Sequence, residues 1–274
     1  MRLKISHTTE YVYSEPVQHS LQRLRLTPET GPTQNVISWE TKVEGAEPEV
    51  FYIDQYGNRT ELVSTNGDQH VIRITANGEV ETLDRSGVFG QHKSFAPLWL
   101  FRRETPLTKA GKLVRDLVKT LEPGDELARM HSLMAAIHEK VAYVPGTTTS
   151  ATSAEQALEQ KSGVCQDHAH IFISAARSLG LPARYVSGYL MMPEQQEQTA
   201  SHAWAEVHLE GLGWVGFDPA NNICPDEHYV RIASGLDYRD AGPISGMVTG
   251  ISGEDMKVTI KVEEQGQSQS QSQS

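Results

Sequence analysis

Along residues 1 to about 85 the apolar positions recur at period two: Leu3 and Ile5, Tyr11 and Tyr13, Leu24 and Leu26, Val50 and Tyr52, Ile72 and Ile74. This alternation predicts half-buried strands. Gln55-Tyr-Gly-Asn58, Asn66-Gly67 and Asn77-Gly78 punctuate it as turns. Several short strands with frequent turns predict a small antiparallel β-sandwich over residues 1–95. The period changes after Ser94-Phe-Ala-Pro-Leu-Trp-Leu-Phe101, read as a linker packed on the next domain. Leu113, Val114, Leu117, Val118 and Leu121 have helical spacing behind Thr108, the expected N-cap. Pro123-Gly124 breaks the chain, and Leu127, Met130, Leu133, Met134, Ile137 and Val141 mark a second amphipathic helix. Ser153-Ala-Glu-Gln156 has capping-box spacing for a short third helix.

A fourth helix is predicted from near Val164 to Leu179, closed by Gly180 with Pro182 beyond. Arg184 to Met191 reads as a strand and Glu194 to Thr199 as a polar loop. Two further strands, 202–209 and 214–218, are joined around Gly211-Leu-Gly213. The fold class is therefore α+β: an N-terminal β region, a helix-and-sheet core over 96–262, and a Gln/Ser-rich tail over 263–274 without apolar content, expected to be disordered.

Composition narrows the function classes. The chain of 274 residues is 38% hydrophobic and 22% charged, which is globular, and its formal charge of −11 without a basic cluster argues against nucleic acid and anionic membranes as partners. No stretch approaches the apolar length of a membrane span, and Met1 to Glu10 lacks the apolar run of an export signal. A cytoplasmic location is the expectation, with Cys165 and Cys224 both reduced.

Cys165 falls in the first turn of the fourth helix, directly after Gly163-Val164. A core cysteine belongs on an apolar helix face; at a helix start, unpaired N–H groups and the positive dipole end favour a thiolate and can stabilise an oxyanion beside it. In His202-Ala-Trp-Ala-Glu-Val-His-Leu209 the odd positions are apolar, leaving His202, Trp204, Glu206 and His208 on the other face. Val215 and Phe217 place Asp218 on that same face. A three-residue loop over 211–213 sets Asp218 opposite Glu206. A five-residue loop over 209–213 sets it opposite Trp204 and diagonal to His202. In either register a carboxylate can orient an imidazole, which in turn activates the thiol. Cys165, His202 and Asp218 are thus the expected catalytic residues, in papain-like order. Trp204 and Trp214, on the same faces, either pack or roof the site.

Tyr143-Val-Pro-Gly146, Gly163-Val-Cys-Gln-Asp167, Pro182-Ala-Arg-Tyr-Val-Ser-Gly-Tyr189, His202-Ala-Trp204 and Gly213-Trp-Val-Gly-Phe-Asp-Pro219 together resemble the bacterial transglutaminase-like family of the papain-like superfamily, often described as cysteine proteases. Ser6-His-Thr-Thr-Glu-Tyr-Val-Tyr13 is similar to the start of that family's N-terminal β region, and Ile232 to Pro243 to its C-terminal segment. The resemblance implies a transglutaminase core with Cys165, His202 and Asp218 as nucleophile, base and orienting acid. His168 stands where the family has an aromatic residue and Leu236 where it has arginine. No acidic loop of the calcium-binding kind in animal transglutaminases is present, and no cofactor is expected.

The expected activity is hydrolysis of a peptide or protein amide through an acyl-thioester, with transfer to an amine as the alternative. From other classes come a zinc site, since Cys165, His168 and His170 are spaced C-x2-H-x-H and His202 or Asp218 could complete a shell, and a silent interaction module. On a helix, residues 168 and 170 project about 200° apart, so only one could join Cys165 at a metal.

Overall fold

A computed structural model describes residues 1–194, 197–249 and 253–265. Its strands are β1 (Arg2–Leu24), β2 (Gln34–Glu44), β3 (Glu47–Ile53), β4 (Arg59–Thr82), β5 (Val88–Gly90), β6 (Ala142–Tyr143), β7 (Ser162–Gly163), β8 (Ala183–Leu190), β9 (Glu197–Gln198), β10 (His202–Leu209), β11 (Gly213–Phe217), β12 (Tyr229–Gly235), β13 (Ile244–Thr249) and β14 (Glu254–Glu264). The helices are α1 (Lys112–Lys119), α2 (Glu126–Lys140), α3 (Ala154–Gln160), α4 (Cys165–Ser178) and the single turn α5 (Tyr238–Ala241). The class is α+β as expected: an antiparallel N-terminal sheet, then helices packed on a second antiparallel sheet.

The N-terminal region is one curled sheet rather than two facing ones, in the order β2-β4-β1-β14-β9, with β3 on β4 and β13 on β1. The curl has a local cause. The β1–β4 ladder slips between Val12 and Val17, around Pro16, which cannot donate to a ladder. Before the slip, Leu3 and Ile5 bury against Tyr189, Val230 and Ile232 of the second sheet. Tyr11 and Tyr13 join Val17, Leu24, Ile72 and Ile74, with Ile244 and Val248 packed beside them. The sheet is also not confined to the first 95 residues. β13 and β14 return from the C-terminal side to pair with β1. Glu263 and Glu264 accordingly close β14 instead of opening the tail, whose remainder, 266–274, lies outside the described residues. Glu197 and Gln198, expected in a loop, form β9 on β14.

The second sheet runs β12-β8-β10-β11-β5. Against it lies α4, which is buried nearly all round: Ala169, Ile171, Phe172, Ile173, Ala175 and Ala176 are fully enclosed. Its C-terminal stop is local, Gly180 taking the left-handed conformation at φ 83°. α2 and α3 begin as expected, with Asp125 accepting from the Ala128 amide and Ser153 forming a capping box with Gln156. The start of α1 differs. Thr108 is buried four residues upstream of α1 and bonded to the Arg177 guanidinium at 2.7 Å, so it caps nothing. The Glu155 carboxylate, on α3, instead takes the Leu113 and Val114 amides at 2.6 and 3.1 Å. Among the described residues, no helix is long and apolar enough to cross a membrane.

Candidate active site

The short parallel pair β6–β7 delivers the chain to the start of α4, pairing Tyr143 with Gly163. Val164 is extended, and the Asp167 carboxylate folds back to accept its amide at 2.8 Å. The same oxygen accepts from the Thr148 hydroxyl at 2.7 Å, tying the loop after β6 to the helix start. A side chain at Gly163 would collide with Asp167 at 2.7 Å, so the glycine in Gly-Val-Cys is a requirement of this close approach. Burial raises the Asp167 pKa against the lowering effect of these bonds. Cys165, in the first turn, is 8% exposed, with Sγ 4.0 Å from the Ser201 carbonyl. Tyr143 lies near the thiol, and partial burial together with charge at Cys165 and Asp218 pushes it up to about 12.

His202 opens β10 and bonds Asp218 from Nε2 to Oδ2 at 2.6 Å. The β10–β11 register pairs Ala205 with Phe217 and Leu209 with Gly213, which carries Asp218 opposite Trp204 and diagonal to His202. Of the two registers open in the sequence this is the second, although the loop itself is Glu210 to Leu212. Asp218 is completely buried. Its Oδ2 also accepts from Asn221 Nδ2 and the Tyr229 hydroxyl, each at 2.7 Å, and Oδ1 accepts from the Ala220 amide at 3.0 Å. Trp204 stacks on the His202 ring with centroids 6.3 Å apart, and Tyr229 meets Trp204 edge-on. Room for that indole comes from Gly188, where a Cβ would fall 2.6 Å from it.

Burial opposes charge on both partners but loses on both. Asp218, with Cys165 nearby, pushes His202 up to about 10. His202, Asn221 and Tyr229 hold Asp218 below its ordinary value. His202 and Asp218 are therefore brought into direct contact, with Cys165 beside them and Tyr143, Asn221 and Tyr229 around the group.

Other singled-out residues lie elsewhere. His168 turns both ring nitrogens to carbonyl oxygens, of Val164 and Val141, and His170 accepts the Tyr238 amide at 3.2 Å. Neither is directed at Cys165, and among the described residues no three metal-ligand side chains converge. Trp214 packs on Phe101 and under the Arg184 guanidinium, away from His202, so only Trp204 touches the site. Leu236 is core, beside Tyr56 and Phe101. Cys224 is half-buried, and burial pushes its thiol up to about 11. Asn221 and Tyr229 escaped the sequence reading. Asn221, three residues beyond Asp218 in a tight turn, was within reach of it; Tyr229 arrives from β12, three places from β11 in the sheet.

Residues 3–81 match the bacterial transglutaminase-like N-terminal region, and residues 112–219 the transglutaminase-like superfamily core. An uncharacterized protein of Mycobacterium leprae is 29% identical over 275 residues, covering 95% of this chain and 98% of its own. Another uncharacterized protein, from Mycobacterium tuberculosis, is 28% identical, covering 90% of this chain and 87% of its own. Among solved structures, a candidate cysteine protease from Cytophaga hutchinsonii shares the fold with a TM-score of 0.76 at 22% identity, over 97% of this chain and 92% of that one. With N-terminal region and core matched in order, the chain belongs to the bacterial transglutaminase-like family.

Proposed function

We infer that the chain is a thiol enzyme that hydrolyses peptide or protein amide bonds with Cys165 as nucleophile, His202 as base and Asp218 as orienting acid. What carries this reading is the 2.6 Å bond from His202 Nε2 to buried Asp218, with Cys165 at a helix start and its sulfur 4.0 Å from the carbonyl of Ser201, the residue before His202. The Cys165 sulfur attacks the amide carbon and the helix's first-turn amides face the developing oxyanion. The His202 imidazolium gives its proton to the departing amine as the C–N bond breaks, leaving an acyl-thioester. Water then adds to the thioester, His202 takes its proton, and the C–S bond breaks to release the acid and restore the thiol.

Hydrolysis is preferred over transfer to an amine because transfer needs a thioester sheltered from water at about 55 M and an amine channel. Tyr143, at the thiol, is 54% exposed, so solvent has access there. Incubation with a glutamine peptide and a millimolar primary amine, read by mass spectrometry, should give mostly cleaved or deamidated peptide. Amine adducts in severalfold excess would make the enzyme a transamidase with the same three residues.

A further inference from the structure

A cavity of about 180 Å³ opens where the curled sheet meets the core. Its floor is β1, through His7, Thr9 and Tyr11; its sides include Met256 on β14, Tyr238, and the segment ending at Ser201. Ser201 joins the cavity to the candidate active site, because the carbonyl of this lining residue is the group 4.0 Å from Cys165 Sγ. Tyr238 continues the connection, its ring edge-on to Tyr185, which lies close enough to Cys165 to feel its charge. The cavity therefore adjoins the nucleophile, and β1, β13 and β14 of the curled sheet share its wall with the core.

The lining is neutral. Burial lowers His7 to about 4, so its ring is uncharged at neutral pH, and both nitrogens are already engaged by the Tyr189 hydroxyl and Thr9 Oγ1 at 2.9 and 3.0 Å. Tyr11 is held protonated by burial and by nearby Glu254. No Asp, Glu, Lys or Arg is among the lining residues, which combine hydroxyls with apolar walls. A charged side chain entering here would lose water, and no lining residue offers it an opposite charge. We propose that this cavity is the specificity pocket of the enzyme, receiving one uncharged side chain of the acyl donor, and that β1 and β14 exist in part to build it. The inference rests on the thiol-enzyme reading and adds to it a substrate class and a task for the N-terminal sheet.

Peptidyl chloromethyl ketones test it, carrying Leu, Gln, Glu or Lys at the ketone-bearing residue and, in a second series, at the residue before it. Intact-mass kinetics follow alkylation of Cys165, and iodoacetamide serves as the pocket-independent probe. At one of the two positions Leu and Gln should react about tenfold faster than Glu and Lys. Met256 is 55% exposed at the rim, so a charge there leaves the fold alone. Met256→Glu should raise the Lys probe relative to Leu by about threefold, and Met256→Lys should do the same for Glu. These readouts are ratios on one protein, so a general change in thiol reactivity cancels. Equal rates for all four side chains at both positions, or rim charges that leave the rate ratios unmoved, would overturn the pocket while iodoacetamide labelling of Cys165 keeps the thiol reading. Failure of iodoacetamide to select Cys165 would remove both.

Discussion

Asp218 accepts three hydrogen bonds on Oδ2 and two more on Oδ1, so its charge is fixed in place and aimed at one imidazole. An amide there cannot accept on both sides. Asp218→Asn should lower turnover by about 10³–10⁴-fold while circular dichroism still reports a folded chain at 25 °C. A variant that is inactive only because it has unfolded would make Asp218 a structural residue. The two thiols separate as sharply. Burial holds Cys224 up near 11, whereas Cys165 has an imidazole beside it and a helix start beneath it. Iodoacetamide at pH 6 should therefore label Cys165 well ahead of Cys224, and peptide mapping that found equal labelling would sink the nucleophile assignment. At this scale the sequence was informative wherever the cause was local: Cys165 behind Gly163, His202 and Asp218 by the parity of their strands. Tyr229 was hidden because its approach to Asp218 depends on sheet order, which alternation does not encode.

At the scale of elements, caps divide by reach. α2, α3 and α4 begin on residues within a few positions, and the end of α4 at Gly180 was as legible as its start. α1 borrows its cap from Glu155, 42 residues away, and Thr108, a good N-cap by type, is occupied with Arg177. Glu155→Ala should cost about 1 kcal/mol, a fall of about 2–4 °C in melting temperature, without altering iodoacetamide labelling of Cys165. An unchanged melting temperature would mean that water replaces the carboxylate at no cost. The β10–β11 hairpin shows the same limit: parity placed His202 and Asp218 on one face, but only packing chose between two registers differing by two residues.

For the whole molecule, the buried ion pair couples stability to pH. The His202 pKa rises from an ordinary 6.5 to about 10, so the stability it contributes is complete below 6.5 and is lost as pH climbs through 10. Asp218 works the other way, contributing above its ordinary 3.8 and losing its share as pH falls through its lowered value. Urea unfolding of the native chain and of His202→Gln should differ most near pH 5–6. The difference should shrink by a few kcal/mol toward pH 10, at a slope of about 1.4 kcal/mol per unit. A difference flat across that range would mean that the imidazole gains nothing from folding. The α+β class and the helical core were readable from periodicity. The closing of the N-terminal sheet by β13 and β14 was not, since nothing local distinguishes a returning strand from one that stays with its neighbours.

That returning strand sets a clock. β1 is made before β4, yet its partner along Leu3 to Tyr13 is β14, which is made long after both. β4 can pair with one edge of β1 early, but the other edge waits while about 180 residues are made, on the order of ten to forty seconds at ordinary elongation speed. Throughout that interval the nascent chain carries an open row of amides and carbonyls beside unburied Leu3 and Ile5, which invites pairing with a neighbouring chain. Strands that end up in the middle of the finished sheet thus spend the synthesis of the protein as its most vulnerable edge, and a holdase that binds extended apolar segments has its longest opportunity there.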